Sequence, residues 1–306
     1  MKNQSLVYLL ALFALSLSTT LSAQHVLASH TFEAENIRAV TLHGSFCHVV
    51  ISRGPKIYFN GRIEGNGREG DLEIVSDIQS DRLTISVLNH RGIANRITYA
   101  QLNLTVPEDV EVDIRTTSGN IQSTGFNARD YRFSATSGDI SLAQLTGPVV
   151  AGTTSGNIKL SDVRGEISLS TTSGEQEVRN VNGSLQAVST SGNIRIVRSN
   201  GQLIASSTSG NIELLQWEGS LTLKSTSGNI TGNGLVLTGN MEFRASSGNV
   251  DMQVENEVEG LSFDLRASSG SLRVGNQQAE KTLYIKQGNY WVRGVTSSGN
   301  ITFRNR

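Results

Sequence analysis

The sequence has little cysteine, little proline and almost no net charge. Its 306 residues include one cysteine and three prolines, and 26 basic residues nearly balance 27 acidic ones. A single cysteine excludes an internal disulfide, so the fold must be stabilised by packing alone. The balanced charge gives no support to nucleic-acid binding, which requires a basic surface. Glycine is abundant at 31 residues, and with so little proline these glycines indicate turns rather than a disordered tract.

Long apolar runs are also scarce. One run, residues 6–15, follows Lys2 and precedes a small-residue stretch that ends at Ala23. This order is typical of a secretory signal peptide, and we expect residues 1–23 to be removed after Ala23. The run is shorter than the ~20 residues that span a bilayer. The sequence therefore predicts an exported protein, in the periplasm or on the outer cell surface, without a transmembrane segment after cleavage.

What the sequence has instead is a repeat. The phrase Ser/Thr-Ser-Gly-Asn-Ile recurs, and in most cases its glycine lies eighteen residues after the previous one. These glycines are Gly119, Gly138, Gly156, Gly174, Gly192, Gly210, Gly228, Gly248, Gly270 and Gly299. A fixed period of this size is typical of solenoids, in which each repeat buries its apolar face against its neighbours.

Each eighteen-residue unit consists of two nine-residue halves. Apolar residues stand two and four positions after the glycine in each half, as Ile158 and Leu160 do in one and Ile167 and Leu169 in the next. Alternation of this kind predicts short strands with one face inward. We therefore predict an all-β fold, a right-handed parallel β-solenoid (a single-stranded β-helix) of about 18-residue coils, because parallel crossovers are right-handed in about 98% of cases.

The turns should carry two further polar columns. We expect the repeated glycines to supply positive φ, and a column of threonines, among them Thr154 and Thr172, to share hydrogen bonds at one corner. The residue after each glycine is usually Asn, and stacked amides can form a ladder along the solenoid. The predicted turn ladder comprises Gly119, Asn120, Gly156, Asn157, Gly192, Asn193, Gly210, Asn211, Gly228 and Asn229. The alternative is that this column is a polar binding strip.

The two ends of the repeat require caps, because an open solenoid end exposes unpaired backbone. Residues 24–112 lack the phrase but contain strand-like runs, and we expect them to form a β-rich N-terminal region that caps the solenoid of residues 113–306. The last strand-like run, residues 301–304, should close the other end.

Candidate reactive groups are few. His43, Cys47 and His48 are poorly spaced for one metal ion on a strand, and Cys47 is predicted to be a buried, inert thiol. The turns carry neutral Asn where calcium-binding β-rolls carry aspartate, and no nucleophile motif is present. We therefore predict no catalytic, metal or cofactor site and no enzyme activity. Tyr290 and Trp291, in the longest interval between glycines, are candidate ligand contacts, with packing as an end cap as the alternative.

The signal-like N-terminus, the segment Gly44-Ser45-Phe46-Cys47-His48-Val49, Val106-Pro107-Glu108 and the serial Thr-Ser-Gly-Asn-Ile phrases together resemble a bacterial family of domains of unknown function described as "putative adhesins" with β-strand repeats. The resemblance covers roughly residues 30–306. It implies a right-handed β-helix in the bacterial envelope, and no catalytic residues come with it.

Three functions follow as hypotheses. The first is a non-enzymatic, secreted or cell-envelope adhesin whose rigid rod presents a binding surface for a cell-surface glycan. The second is a periplasmic structural or stress-sensing module that contacts another envelope protein. The third is a polysaccharide-active β-helix enzyme.

Overall fold

The computed structural model describes residues 25–68, 70–90 and 97–305, which are β-strand almost throughout. The predicted signal peptide, residues 1–23, lies outside the described residues. The N-terminal strands are β1 (His25–Ala34), β2 (Ala39–Ser45), β3 (His48–Arg53), β4 (Ile57–Gly65), β5 (Leu72–Gln79), β6 (Arg82–Asn89), β7 (Ile97–Val106), β8 (Glu111–Thr116) and β9 (Ile121–Thr124). The central strands are β10 (Asp130–Ala135), β11 (Ile140–Ala143), β12 (Val149–Thr153), β13 (Ile158–Thr171), β14 (Gln176–Ser189), β15 (Ile194–Ser207), β16 (Ile212–Ser225) and β17 (Ile230–Ser247). The C-terminal strands are β18 (Val250–Val254), β19 (Leu261–Ser269), β20 (Leu272–Val274), β21 (Gln277–Ala279), β22 (Thr282–Ile285), β23 (Tyr290–Ser298) and β24 (Ile301–Asn305), with a short 3₁₀ helix at Val258–Gly260.

The central strands pair in parallel with a constant register. From β13 to β16 each residue pairs with the residue eighteen positions further on, so that Ile158 pairs with Gln176, and Gln176 with Ile194. The repeated phrases therefore lie one above the other. All described strands belong to one continuous sheet, and the predicted β-rich stacking of repeats is confirmed.

Each long strand bends once, which divides the sheet into two halves. In β13 the bend begins at Asp162 (φ 57°) and ends at Gly165 (φ 143°), with Val163 buried between them. The N-terminal part of β13 continues the rows of β9 and β11, and its C-terminal part continues those of β8, β10 and β12. We call these rows the first half and the second half of the sheet.

The alternating aliphatic residues face a shared interior, as the periodicity predicts. Ile158, Leu160, Ile167 and Leu169 are at most 1% exposed, and residues from both halves belong to one hydrophobic cluster. The side chains between them, such as Lys159, are exposed. Burial of these columns is the main stabilising term, at about 25 cal/mol per Å² of apolar surface.

The predicted positive φ is found at the last three repeated glycines, Gly248, Gly270 and Gly299, but not in the central repeats, where glycine is required for another reason. A Cβ at Gly174 would lie 1.6 Å from the carbonyl oxygen of Gly156, one repeat earlier. The backbones approach so closely at this corner that only glycine fits.

The hydroxyl column also differs from the prediction. Thr154 and Thr172 are exposed, whereas the residue before each of them is buried. In four repeats this buried hydroxyl accepts a hydrogen bond from the glycine N–H three residues later, for example at 2.8 Å from Ser189 Oγ to Gly192 N. The predicted column of hydrogen-bonded threonines is therefore wrong by one position. The last inward-facing residue of the strand is the one before the threonine, and the threonine itself faces solvent.

At the N-terminal end the spatial order departs from the chain order. Strands β2 and β3 lie between β6/β7 on one side and β8/β9 on the other, and all of these pairings are parallel. Strand β4 then adds antiparallel to β7 and β1 adds antiparallel to β4, while β5 adds antiparallel to β6. The N-terminal strands thus continue both halves of the same sheet, and the capping role of residues 24–112 stays a prediction.

The C-terminal end has the same kind of exchange. Strands β23 and β24 pair with β17 and β18 on one side and with β19 and β20 on the other. The final strand is thus internal to the stack, and the expectation that residues 301–304 close the end is wrong. Antiparallel strands β21 and β22 lie beyond β20 and β19 instead.

Candidate functional site

The column that follows the glycines forms a ladder of side-chain to backbone hydrogen bonds. Asn193 Oδ1 accepts from the backbone N–H of Asn211, Asn211 Oδ1 from Asn229, and Asn229 Oδ1 from Asn249, at 2.8–2.9 Å. The predicted stacking of amides on amides is thus replaced by bonds from each amide oxygen to the next backbone. Each bond is worth about 0.5–1.5 kcal/mol net. These bonds link each repeat to the next at this corner.

One repeat interrupts both the ladder and the core. The carboxylate of Glu175 has one methylene more than Asn, and its Oε1 lies 3.4 Å from Asn193 Nδ2. The next residue, Gln176, is 1% exposed and occupies the apolar column between Ile158 and Ile194. Its Nε2 donates to Thr171 Oγ1 and to the Val188 carbonyl, whereas its Oε1 is buried without a partner among the described residues.

The ladder begins earlier than the sequence indicates. His48 Nδ1 accepts from the backbone N–H of Asn120 at 3.3 Å, so an imidazole fills the position of the first Asn. A Cβ at Gly119 would lie 1.7 Å from the Cys47 carbonyl oxygen, so Cys47 occupies the glycine position of the same turn. Residues 45–49 are therefore a degenerate copy of the phrase, with Val49 in the place of Ile.

Cys47 is buried, and burial raises the pKa of its thiol to about 12 by disfavouring the thiolate. A thiol with such a pKa is a poor nucleophile and a poor metal ligand at neutral pH. His43 and His48 are exposed beside it. Within residues 25–68, 70–90 and 97–305, no group of three or more His, Cys, Asp and Glu side chains is placed to hold a metal ion.

Tyr290 and Trp291 do not form the aromatic pair that the sequence suggests. They are neighbours on β23, and neighbours on a strand point to opposite sides. Trp291 contacts Tyr284 of β22 instead, with the ring centroids 5.8 Å apart. The guanidinium carbon of Arg293 lies 5.3 Å from the Trp291 ring centroid. Tyr284 is 61% exposed, so most of its ring faces solvent.

Sequence reasoning missed Tyr284 and Arg293, because their contacts depend on which strand pairs with which. Tyr284 pairs with Asp264 in the antiparallel β19/β22 register, and Arg293 pairs with Asp264 from the other side. The alternation of residues 282–285 indicates a strand and could have shown that Tyr284 faces outward. No signal in the sequence gives its partner.

Next to these rings, the outer surface of the second half of the sheet carries a shallow groove of about 590 Å³. We call it the C-terminal groove. It is formed by strands β16, β17, β23 and β19, and its outward side chains are Thr222, Lys224, Glu242, Arg244, Asp264, Arg266, Arg293 and Val295.

Charges in the C-terminal groove are unevenly paired. Arg293 lies 3.8 Å from Glu242, and Arg266 lies 3.3 Å from Asp264. Lys224 and Arg244 are direct register neighbours on β16 and β17. Neither has an ion pair among the described residues. Like charges opposite each other on adjacent strands destabilise a sheet, so this corner of the groove is suited to an anion.

Fold, ladder and groove together define a β-rich repeat protein of the solenoid-like class. The sequence profile of the Toastrack DUF4097 family matches residues 49–215 and 200–304. The protein therefore belongs to the Toastrack DUF4097 family.

Two solved structures align with most of this chain at low similarity. A "putative cell adhesion protein" from Clostridium sporogenes is 10% identical, with 91% of this chain and 98% of that chain covered and a TM-score of 0.20. A "putative lipid binding protein" from Parabacteroides distasonis is 14% identical, with 89% and 96% covered and a TM-score of 0.38. Neither similarity is close enough to support an argument about ligands.

No curated protein matches the chain significantly. Among the described residues, no helix has the length and apolar character needed to cross a bilayer.

Proposed function

We propose that this protein is a non-enzymatic envelope protein, exported to the periplasm or the outer cell surface, that acts as an adhesin. In this proposal the chain is a right-handed β-solenoid of about eighteen-residue coils, and its rigid stack holds binding side chains in fixed rows. The stack itself uses the Asn ladder and the aliphatic columns, which leaves the outward rows free for recognition.

The observation that carries the proposal is the exposed aromatic and cationic surface beside β23. Trp291 of β23 contacts Arg293 on its own strand and Tyr284 of β22, with strand β19 lying between β22 and β23. Exposed aromatic rings beside charged groups are typical of binding surfaces, because they combine large apolar area with little loss of rotamer freedom. A rigid strand scaffold positions such groups more accurately than loops do.

Binding of the purified mature chain to arrays of bacterial and host cell-surface glycans tests this function. We expect saturable binding to a subset of glycans. A complete lack of binding across these arrays would contradict the adhesin role.

Protease treatment of intact cells tests the location. Cleavage of the protein on intact cells supports surface display. Protection on intact cells, lost after the outer membrane is permeabilised, would contradict surface display and favour the periplasmic interaction module.

A further inference from the structure

We propose that the C-terminal groove binds an acidic oligosaccharide, with one sugar ring on the Tyr284–Trp291 surface and a carboxylate between Lys224 and Arg244. This inference rests on the proposed function and specifies its site and its ligand class.

The aromatic surface next to the groove fits a pyranose ring. Such a ring has an apolar C–H face and a rim of hydroxyls, so it requires an aromatic surface with polar groups at its edge. Tyr284 and Trp291 supply the surface, with ring centroids 5.8 Å apart. The guanidinium carbon of Arg293 lies over the Trp291 ring, 5.3 Å from its centroid, and Glu242 is 3.8 Å from Arg293, so these two groups offer donors and acceptors to hydroxyl groups next to the exposed Tyr284 ring.

The other end of the groove fits a carboxylate. Lys224 and Arg244 are side by side in register, and Arg266 follows Arg244 across Val295. Arg266 is already paired with Asp264. Among the described residues Lys224 and Arg244 have no such partner, and a carboxylate between them would form charge-assisted hydrogen bonds and relieve their repulsion.

The spacing between the two ends sets the length of the ligand. Trp291 and Val295, the neighbour of Arg244, are four residues apart on β23, which corresponds to about 13 Å along a strand. A single sugar cannot contact both ends. The ligand must therefore be an oligosaccharide whose acidic residue is separated from the stacked ring.

The groove favours a saccharide over a lipid. Its outward side chains are charged or hydroxylated except for Val295, and the groove is open along the sheet. An acyl chain would displace water from these charged groups without offering them hydrogen bonds, which is unfavourable. Glu242 and Asp264 line the same surface and would repel a closely spaced row of phosphates.

The test uses aldotetraouronic acid, a xylotriose that carries one methylglucuronate at its end, and the methyl ester of this acid, which has the same length and rings but no charge. Titration is followed by tryptophan fluorescence, because Trp291 is partly exposed whereas the other tryptophan, Trp217, is 1% exposed. We expect the acid to bind at least about tenfold more tightly than the ester, in line with the strength of charge-assisted hydrogen bonds.

Three variants locate the site. Arg244→Gln should remove the preference for the acid, and Trp291→Ala should weaken binding of both forms, followed by calorimetry. Arg198→Gln is the matched control, since Arg198 is exposed at a bend where other repeats carry Gln144 and Gln216. It should bind like the wild type.

Several outcomes would overturn the inference. They are equal affinity for acid and ester, unchanged binding in Arg244→Gln with native circular dichroism, and binding to phosphatidylglycerol vesicles without binding to the acid. If the protein binds other glycans and neither Arg244→Gln nor Trp291→Ala changes that binding, this site is contradicted while the adhesin role is left intact. An absence of binding to any glycan would contradict both.

Discussion

Gln176→Ile should stabilise the protein. Gln176 stands where the neighbouring repeats place Ile158 and Ile194, and its buried Oε1 has no partner among the described residues. Removing an unpartnered buried acceptor recovers about 1–3 kcal/mol. Burying an aliphatic side chain adds about 2 kcal/mol.

The replacement also loses two hydrogen bonds, those from Gln176 Nε2 to Thr171 Oγ1 and to the Val188 carbonyl. Each is worth about 1 kcal/mol. The freed Thr171 hydroxyl can turn to the N–H of Gly174, because in other repeats the equivalent hydroxyl accepts from that glycine, as Ser189 does from Gly192. The expected net increase in the free energy of unfolding is about 1–3 kcal/mol.

The assay is urea denaturation followed by circular dichroism, with the midpoint compared at unchanged slope. Gln186→Ile is the matched control, because Gln186 lies on the same strand with its side chain exposed. The control should leave the midpoint nearly unchanged. If Gln176→Ile lowers the midpoint, or if the two variants shift it equally, the reasoning about the buried column is refuted.

Two further predictions concern the corner of the repeats. Glu175→Asn should complete the ladder, because the new amide oxygen would accept from the backbone N–H of Asn193 as Asn193 Oδ1 accepts from Asn211, and it should raise the free energy of unfolding by about 0.5–1 kcal/mol. Thermal denaturation measures this change, and Glu175→Gln, which removes the same charge, is the control. A loss of stability in Glu175→Asn would contradict the ladder. Cys47 should resist alkylation by iodoacetamide in the native protein at pH 8, since its raised pKa of about 12 keeps the thiol protonated and burial blocks access. Mass spectrometry should show rapid labelling only in denaturant. Rapid labelling of the native protein would contradict the burial of Cys47.

Periodicity alone predicts most of the central fold. The spacing of Ile158 and Leu160, repeated every eighteen residues, specifies inward strands and the stacking of repeats. The position of the Asn column was also evident from the sequence. Its hydrogen bonds are made to the backbone because each Asn lies one strand spacing from the next repeat's N–H.

The order of coils at both ends was not predictable. Parallel strands are joined by hydrogen bonds between backbone groups, and these groups are the same in every coil. The sequence around Gly299 therefore does not show that the coil of Gly299 stacks between the coils of Gly248 and Gly270. The degenerate repeat at Cys47 and His48 was missed for a related reason. An imidazole nitrogen accepts the same backbone bond as an amide oxygen, but the two residues share no sequence pattern.

The candidate site was only partly predictable. Trp291 was evident as an aromatic residue in the longest interval, but its contact with Tyr284 depends on the antiparallel pairing of β19 and β22. The neighbouring pair Lys224 and Arg244 was open to prediction, because each residue stands four positions before a repeated glycine, Gly228 and Gly248.

The most direct test of the inward and outward assignment is one substitution made at two positions of the same strand. Ile194 is 0% exposed and Ile204 is 40% exposed, both on β15. Ile194→Asp should bury a charge and cost several kcal/mol, whereas Ile204→Asp should cost about 1 kcal/mol or less and Lys159→Ala almost nothing. A large fall in the melting temperature of Ile194→Asp alone is the predicted result. Equal melting temperatures for Ile194→Asp and Ile204→Asp would contradict the stacked, inward-facing columns.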